Sequence, residues 1–385
     1  MNLAAPVLSA ADVFARVRLL RSPGIGPVSY FQLLRRFGSA AAALDALPDL
    51  AARGGARYRP VPAERIEAEI ARLHAAGGQY LFHDSPAYPR LLAALETPPP
   101  VLTWRGDLAL LGQGAVALVG ARNASAGACR LARDYGAALA ARGYAVVSGL
   151  ARGIDAAAHR GALAAMGHGG GTIGVIASGI DVTYPPDHLA LQEEVATRGL
   201  LLAEMPPGTE PLARHFPFRN RIIAGLAAGT VVVEAAPRSG SLITARLAAE
   251  AGREVMAVPG SPLDSRSRGC NELIRDGAVL VQSADDITEL LERFEGPRGR
   301  SGQLVLREAP WSAADGEETG FDFAPGAEDA SPDIAQLLGT APVATDELIR
   351  QSGASAGAVH MALIELELAG RLIRHAGGRV SLAQG

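Results

Sequence analysis

The side chains best suited to chemistry in this chain are cationic and aromatic rather than acidic or thiol. The stretch Arg214-His215-Phe216-Pro217-Phe218-Arg219-Asn220-Arg221 gathers three arginines and two phenylalanines within eight residues, and the apolar run Ile222-Ile223-Ala224-Gly225-Leu226 follows at once. This order predicts a short exposed loop that leads into a buried helix. Guanidinium forks match phosphate oxygens and aromatic rings stack on splayed bases, so the composition suits an extended nucleic-acid strand. The plainer alternative is a loop whose phenylalanines plug the core and whose arginines pair with local acids.

Other chemistry has fewer candidates. Catalysis needs a nucleophile with a base, a carboxylate pair or a metal cluster. His159, His168, His188 and His215 stand without a Cys or a second His at ligand spacing, so neither metal nor cofactor is expected. Asp155 and His159 lie four residues apart, and the reading is a helix cap with a core histidine. Glu234 after a strand, with Ser239-Gly240-Ser241 opening the next helix and Glu204 as a partner carboxylate, is the one arrangement that could host turnover. Phosphate or ribose binding without turnover explains the same residues. Cys129 and Cys270 form neither a disulfide framework nor a metal quartet. All 36 basic residues are arginine, which excludes a phosphate-loop lysine, a Schiff base and a lysine general base.

The elements that would position these groups follow a regular rhythm. From Ala115 onward, short apolar runs alternate with helical segments, at Ala115–Gly120, Ala145–Gly149, Thr172–Ala177, Leu200–Glu204, Thr230–Ala235, Glu254–Pro259 and Ala278–Gln282. Two further strands are expected at Tyr80–Phe82 and Val101–Trp104. Strands apolar on both faces and separated by helices imply an α/β fold, a Rossmann-like, doubly wound, mostly parallel sheet. Ligands on such sheets bind beyond the carboxyl ends of the strands. The loops there are glycine-rich and polar, and each precedes a helix N-terminus, where free N–H groups favour anions. They carry Gly120 and Arg122, then Ser148, Gly149 and Arg152, then Ser178, Tyr184 and Pro185, and finally Ser239 and Gly240. Several such loops on one edge make a phosphate-lined groove, with Arg122 and Arg152 as clamps. Gly120-Ala121-Arg122 lacks the spacing of a dinucleotide fingerprint.

A length of 385 residues allows two or three domains, and 48% hydrophobic with 20% charged content is ordinary for a soluble protein. The expected division is a helical domain at 1–76, the sheet domain at 77–295, a flexible linker at 296–330 and a small module at 331–385. The N-terminus lacks the basic region of a signal peptide, and no apolar run is long enough to cross a bilayer, so a cytoplasmic location is expected. Net charge is −4, yet residues 1–75 hold ten arginines against six carboxylates. Within them, Pro23-Gly24-Ile25-Gly26 separates two helices as in a helix-hairpin-helix turn, which serves either as a phosphate nest or as a plain packing turn. The C-terminal module reads helix, helix–turn–helix, wing, a winged-helix pattern. Its would-be recognition helix, Ala354–Ala369, has no Arg and carries Glu365 and Glu367. That charge favours protein contact over duplex binding.

Taken in order, Ser148-Gly149-Leu150-Ala151-Arg152-Gly153-Ile154-Asp155, Tyr184-Pro185, Phe216-Pro217-Phe218-Arg219-Asn220-Arg221-Ile222-Ile223-Ala224-Gly225-Leu226, Ser239-Gly240-Ser241-Leu242-Ile243-Thr244 and Gly269-Cys270-Asn271 resemble the DNA-processing protein A family, also called Smf. The resemblance is dense over 80–295, and the flanking segments extend it over most of the chain. It implies a protein of natural transformation that binds and protects incoming single-stranded DNA and helps load the RecA recombinase. It further implies a dimer through the Rossmann-like domain, flanked by an N-terminal all-α (SAM or helix-hairpin-helix-like) domain and a winged helix, and a mediator rather than an enzyme. Carried over residue by residue, the DNA groove comprises Gly120, Arg122, Ser148, Gly149, Arg214, Phe216, Phe218, Arg219, Asn220, Arg221, Ser239 and Gly240, and the clamp Arg152 completes the expected DNA-binding set. Ala121 departs from the family's Gly-Ser/Thr-Arg loop by supplying no hydroxyl, and Arg214 stands where some relatives use lysine. The rival reading is a nucleotide phosphoribohydrolase of the lysine-decarboxylase-like group. Ala236-Pro237-Arg238-Ser239-Gly240-Ser241 departs from the Pro-Gly-Gly-x-Gly-Thr loop of those enzymes.

Overall fold

A computed structural model describes residues 8–166, 170–295, 334–375 and 377–383; the linker expected at 296–330 and His168 lie outside them. The described residues divide into two compact units, one running from Glu64 to Glu295 and one combining Leu8–Ala63 with the described residues from 334 to 383. In chain order the elements before the sheet are α1 (Ala10–Arg21), α2 (Pro27–Phe37), α3 (Ala40–Arg53) and α4 (Ala63–Ala75). The sheet region follows as β1 (Gln79–Phe82), α5 (Arg90–Ala93), β2 (Val101–Gly106), β3 (Ala115–Val119), α6 (Ala126–Ala141), β4 (Ala145–Ser148), α7 (Ile154–Ala164) and β5 (Gly171–Ile176). It continues with α8 (Leu189–Arg198), β6 (Leu200–Ala203), α9 (His215–Leu226), β7 (Gly229–Val232), α10 (Gly240–Glu250), β8 (Glu254–Ala257), α11 (Arg268–Arg275), β9 (Val279–Leu280) and α12 (Ala284–Glu295). Last come β10 (Val343–Ala344), α13 (Thr345–Ser352), α14 (Ala356–Leu368), β11 (Leu372–His375) and β12 (Arg379–Leu382).

The larger unit is the Rossmann-like sheet. Its nine strands run β1-β2-β6-β5-β4-β3-β7-β8-β9. All neighbours from β6 to β9 are parallel; β1 pairs antiparallel with β2, and β2 with β6. Alternation along each strand divides the side chains between two cores. Val116 and Leu118 face Leu139 and Ala158 of α6 and α7 on one side. Ala117, Val119, Val147 and Val175 face Ile222, Ile223 and Leu226 of α9 on the other. The chain lays down β3 to β6 in one direction and then returns to place β7 on the far side of β3. That reversal opens a crevice beyond the carboxyl ends of β3 and β7.

Two expectations need revision here. The stretch 215–221 is not a loop: α9 begins at His215, so Phe216, Phe218 and the arginines after them sit in its first turns. Pro217 is compatible with this because first-turn N–H groups have no intrahelical partner to lose. Helix α4, placed by sequence with the N-terminal domain, packs on the sheet unit. Leu73 is buried with Leu150 and Ile176, and Arg72 Nε donates to Asp181 Oδ2 at 2.5 Å.

In the smaller unit, α1–α3 and the winged helix each have a core, and α14 belongs to both. Its Val359, Ala362, Leu363 and Leu366 pack with Leu348, Leu372 and Val380. Its Ile364 and Leu368 pack with Leu19, Tyr30, Leu33 and Leu47. The segment at Ile334–Gln336, expected as a helix, is a single 3-10 turn. The hairpin turn at Pro23–Gly26 is a packing turn on its Gly24 side: a Cβ built there would lie 3.4 Å from the Glu367 carbonyl oxygen, and Tyr58 Oη donates to the Pro23 carbonyl.

Candidate nucleic-acid interface

Beyond the carboxyl ends of β3, β4, β5 and β7 lie two hollows of about 440 Å³ and about 750 Å³. They share Arg122, Ala151, Tyr184, Pro211, Phe216 and Arg219, and so form one continuous cleft. The loop after each strand supplies part of the wall. Gly120 and Arg122 follow β3, Gly149 and Arg152 follow β4, Tyr184 follows β5, and Ser239 and Gly240 follow β7.

The first loop is held by the last. Ala121 N–H donates to the Glu234 carbonyl at 2.7 Å, and Ser125 N–H donates to Glu234 Oε2 at 2.7 Å. Ser125 Oγ in turn caps α6 through Ala128 N–H. The Glu234 carboxylate is thus a buried brace for a backbone amide, and the Glu204 carboxylate accepts from Arg221 Nη2 at 2.5 Å. At the start of α7, Gly153 holds φ +77, and a Cβ there would fall 2.2 Å from the Ala121 carbonyl oxygen. Only glycine satisfies both the left-handed backbone and that close approach.

In the cleft floor sits a charged pair largely shielded from water. Arg219 and Asp155 are both buried, with Nη1 and Oδ2 3.9 Å apart. Gly149 N–H donates to the same Oδ2 at 3.2 Å, and a Cβ at Gly149 would overlap Arg219 Nη1. Burial raises the Asp155 carboxyl above its ordinary range. Arg219, the N–H groups of Ala151 and Gly149, and Arg122 act in the opposite direction. Burial likewise lowers the Arg219 guanidinium, which Asp155 opposes. Asp155 therefore braces the loop before its helix rather than capping the helix itself.

His159 is a core residue, with Nδ1 2.7 Å from Thr172 Oγ1, and burial pushes it down to about 3. Because its folded value lies below the ordinary histidine value, its contribution to stability is complete above about pH 6.5 and is lost as pH falls toward 3. Melting temperature should therefore decline between pH 6.5 and 5, and His159→Gln should flatten that slope. Burial also lowers His83 and His360, so a smaller slope of the same sign will persist. An unchanged slope in the variant would contradict this account.

At the surface, the Arg122 guanidinium lies 4.9 Å from the Phe216 ring centroid. Tyr184 meets the Phe216 ring edge-on at 5.8 Å. Phe216 is therefore a half-buried hub with cations and a ring already around it, whereas Phe218, two residues on, is 51% exposed. Arg214 is exposed at the α9 N-cap. Arg152 pairs with Asp187, but both side chains are mostly in water, and such pairs contribute only about 0–1 kcal/mol. A phosphate can therefore displace Asp187.

The cleft gathers Gly120, Arg122, Gly149, Arg152, Phe216, Arg219, Asn220, Ser239 and Gly240. Arg214 and Phe218 are exposed outside its lining. Ser148 is fully buried, its Oγ donating to the Leu118 carbonyl, because the residue still lies within β4. Arg221 is engaged by Glu204 and by the Thr97 carbonyl, since its phase on α9 turns it away from the cleft that Asn220 and Ile223 line. Asn220 Nδ2 donates to the Gly240 carbonyl at 3.4 Å, and Ser239 and Ser241 share a hydroxyl bond. Sequence reasoning placed Tyr184 on a groove loop without counting it as a contact, and it passed over Arg238. Arg238 is exposed, lines the cleft and adopts φ +65. Its flanking Pro237 and Ser239-Gly240 were the available sign of a tight turn aimed at the strand ends. Among the described residues, no group of three or more His, Cys, Asp or Glu is placed to hold a metal, and no helix is long and apolar enough to cross a membrane.

The family model of DNA recombination-mediator protein A matches residues 79–292. A DprA-like N-terminal HHH domain matches 10–71, and a DprA winged helix domain matches 323–378. Protein Smf of Escherichia coli strain K12 is 36% identical over 337 residues, covering 86% of this chain and 85% of the relative. Among solved structures, DNA processing protein A of Streptococcus pneumoniae is 36% identical with a TM-score of 0.61, over 73% of this chain and 98% of that one. DNA processing protein A of Helicobacter pylori, described for its single-stranded DNA binding mode, is 28% identical with a TM-score of 0.51, over 57% of this chain and 98% of that one. With a matched fold, a matched domain order and more than half its length within one family model, this chain belongs to the DNA recombination-mediator protein A family.

Proposed function

We propose that this protein binds single-stranded DNA along the cleft, protects it, and helps load the RecA recombinase during natural transformation, without chemical turnover and as a homodimer through the sheet unit. The observation that carries the reading is the Arg122 guanidinium stacked on Phe216 at the mouth of a cleft walled by strand-end loops. Arg122, Arg152, Arg214 and Arg238 hold phosphates, and the N-terminus of α10, whose Ser239 makes no side-chain cap, offers free N–H groups. The Helicobacter pylori relative described for single-stranded DNA binding supports this choice of ligand. Anisotropy with a labelled oligothymidine and the matching duplex, at two salt concentrations, tests it. Preference for the single strand and a salt-sensitive affinity are expected; equal or absent binding would overturn the reading.

The two aromatics are separable. Phe218→Ala should weaken single-strand binding by roughly 1–3 kcal/mol, the magnitude of one stacked base, and leave melting temperature unchanged. Phe216→Ala should lower both, because Phe216 is packed between Arg122 and Tyr184.

A nucleotide hydrolase built on Glu234 is the competing reading. Its carboxylate is committed to the Ser125 amide, a geometry that disfavours use as a base. Nucleoside monophosphates incubated with wild type and Glu234→Gln should give no free ribose phosphate in either case. Release by wild type alone would replace the mediator reading.

A further inference from the structure

We propose that the outer face of the winged helix, the face such modules ordinarily lay into a duplex groove, is an intrachain clasp for the protein's own N-terminal helices. Its helix α14 is apolar on opposite sides, a pattern typical of a helix buried all round rather than one facing water. The stripe Gly357, His360, Met361, Ile364, Glu365 and Leu368 follows helical spacing and looks away from the module's own core. Ile364 is fully buried and Leu368 nearly so, within the core of α1–α3.

Polar contacts seal the same face. Ser29 Oγ donates to Glu367 Oε2 at 2.5 Å, Gln32 Nε2 donates to His360 Nδ1 at 2.8 Å, and Arg53 lies 3.9 Å from Glu365. Arg374 from the wing holds the other side of Glu367, at 3.0 Å. The charges are complementary: residues 8–63 hold eight arginines against three aspartates, whereas α14 has acids and no arginine. An N-terminal module of this sign would attract the helix that a phosphate backbone would repel.

Gly54 gives a clean test. It caps α3 at φ −73, an ordinary right-handed backbone, so a side chain there does not strain α3. A Cβ at this position would nevertheless fall 2.3 Å from the Glu365 carbonyl oxygen and 3.2 Å from Ala369 Cβ. Gly54→Val thus wedges the contact while sparing both modules.

The experiment uses the full chain carrying an inserted protease site between positions 300 and 325, cut and then analysed by gel filtration at micromolar concentration. The C-terminal piece of the otherwise unaltered chain should co-elute with the rest, and Gly54→Val should release it, folded by far-UV circular dichroism. Separation without Gly54→Val, or retention in the Gly54→Val chain, would overturn the clasp. Pairing of differently labelled uncut chains that Gly54→Val abolishes would also overturn it, since the occupant would then be a second copy. Gly54→Val should bind duplex DNA within about twofold of wild type. A large gain would show instead a masked nucleic-acid surface.

Discussion

Arg122→Ala is expected to weaken oligothymidine binding by about 10- to 100-fold, because a hydrogen bond to a charged group contributes roughly 1.5–3 kcal/mol. The same substitution should lower the slope of log affinity against log salt by about 0.7, one phosphate's share for a single strand. Base preference should not change, since a guanidinium on a phosphate carries no sequence information. Stability should fall little, because Arg122 is exposed and its guanidinium rests on the surface of the Phe216 ring. Arg122→Lys should give an intermediate affinity: it keeps the charge but lacks the planar fork. A shift in base preference, or an unchanged salt slope, would place the strand elsewhere.

The second large effect lies below the surface. Asp155→Ala leaves the buried Arg219 guanidinium without its counter-charge and the Gly149 N–H without its acceptor. Breaking one half of a buried pair costs about 3–5 kcal/mol. At about 2–4 °C per kcal/mol for a unit of this size, melting temperature should drop by roughly 6–20 °C. Joint replacement, Asp155→Leu with Arg219→Met, removes both charges and should recover most of the loss. If the double variant is as unstable as the sum of the single changes, the two residues are not coupled.

The contrast between these arginines shows what sequence conveys and what it does not. The sheet was legible because β3 to β8 are short apolar runs with helices between them, a signal that depends on local pattern alone. The site was legible as a set of loops, because glycine and polar residues cluster at the strand ends. The allocation of roles within Arg214–Arg221 was not. Three arginines of identical chemistry differ only in helical phase: Arg214 faces water, Arg219 meets Asp155, and Arg221 meets Glu204. Placing the start of α9 at His215 rather than beyond Arg221 rotates each side chain to a different neighbour. Ser148 differs for a related reason, since one residue of strand register separates a groove hydroxyl from a core hydroxyl. The doubled apolar face of α14 was present in the sequence as Val359-His360-Met361-Ala362-Leu363-Ile364, but its second partner lies some three hundred residues away. No local pattern can name such a partner.

The paired bonds from Glu234 to Ala121 and Ser125 have a consequence for the kind of polymer the cleft can accept. They rivet the loop after β3 to the loop after β7, so the two banks of the channel keep a set spacing. A mould of constant gauge leaves conformational adjustment to the thread. A single strand rotates about its backbone bonds and can settle phosphate by phosphate against fixed amides and guanidinium groups. Duplex DNA, stiff over about 50 nm, cannot follow such a contour. Under the proposed function, strandedness is then sorted by compliance rather than by any contact that reads a base, with the softer of the two partners doing the adjusting.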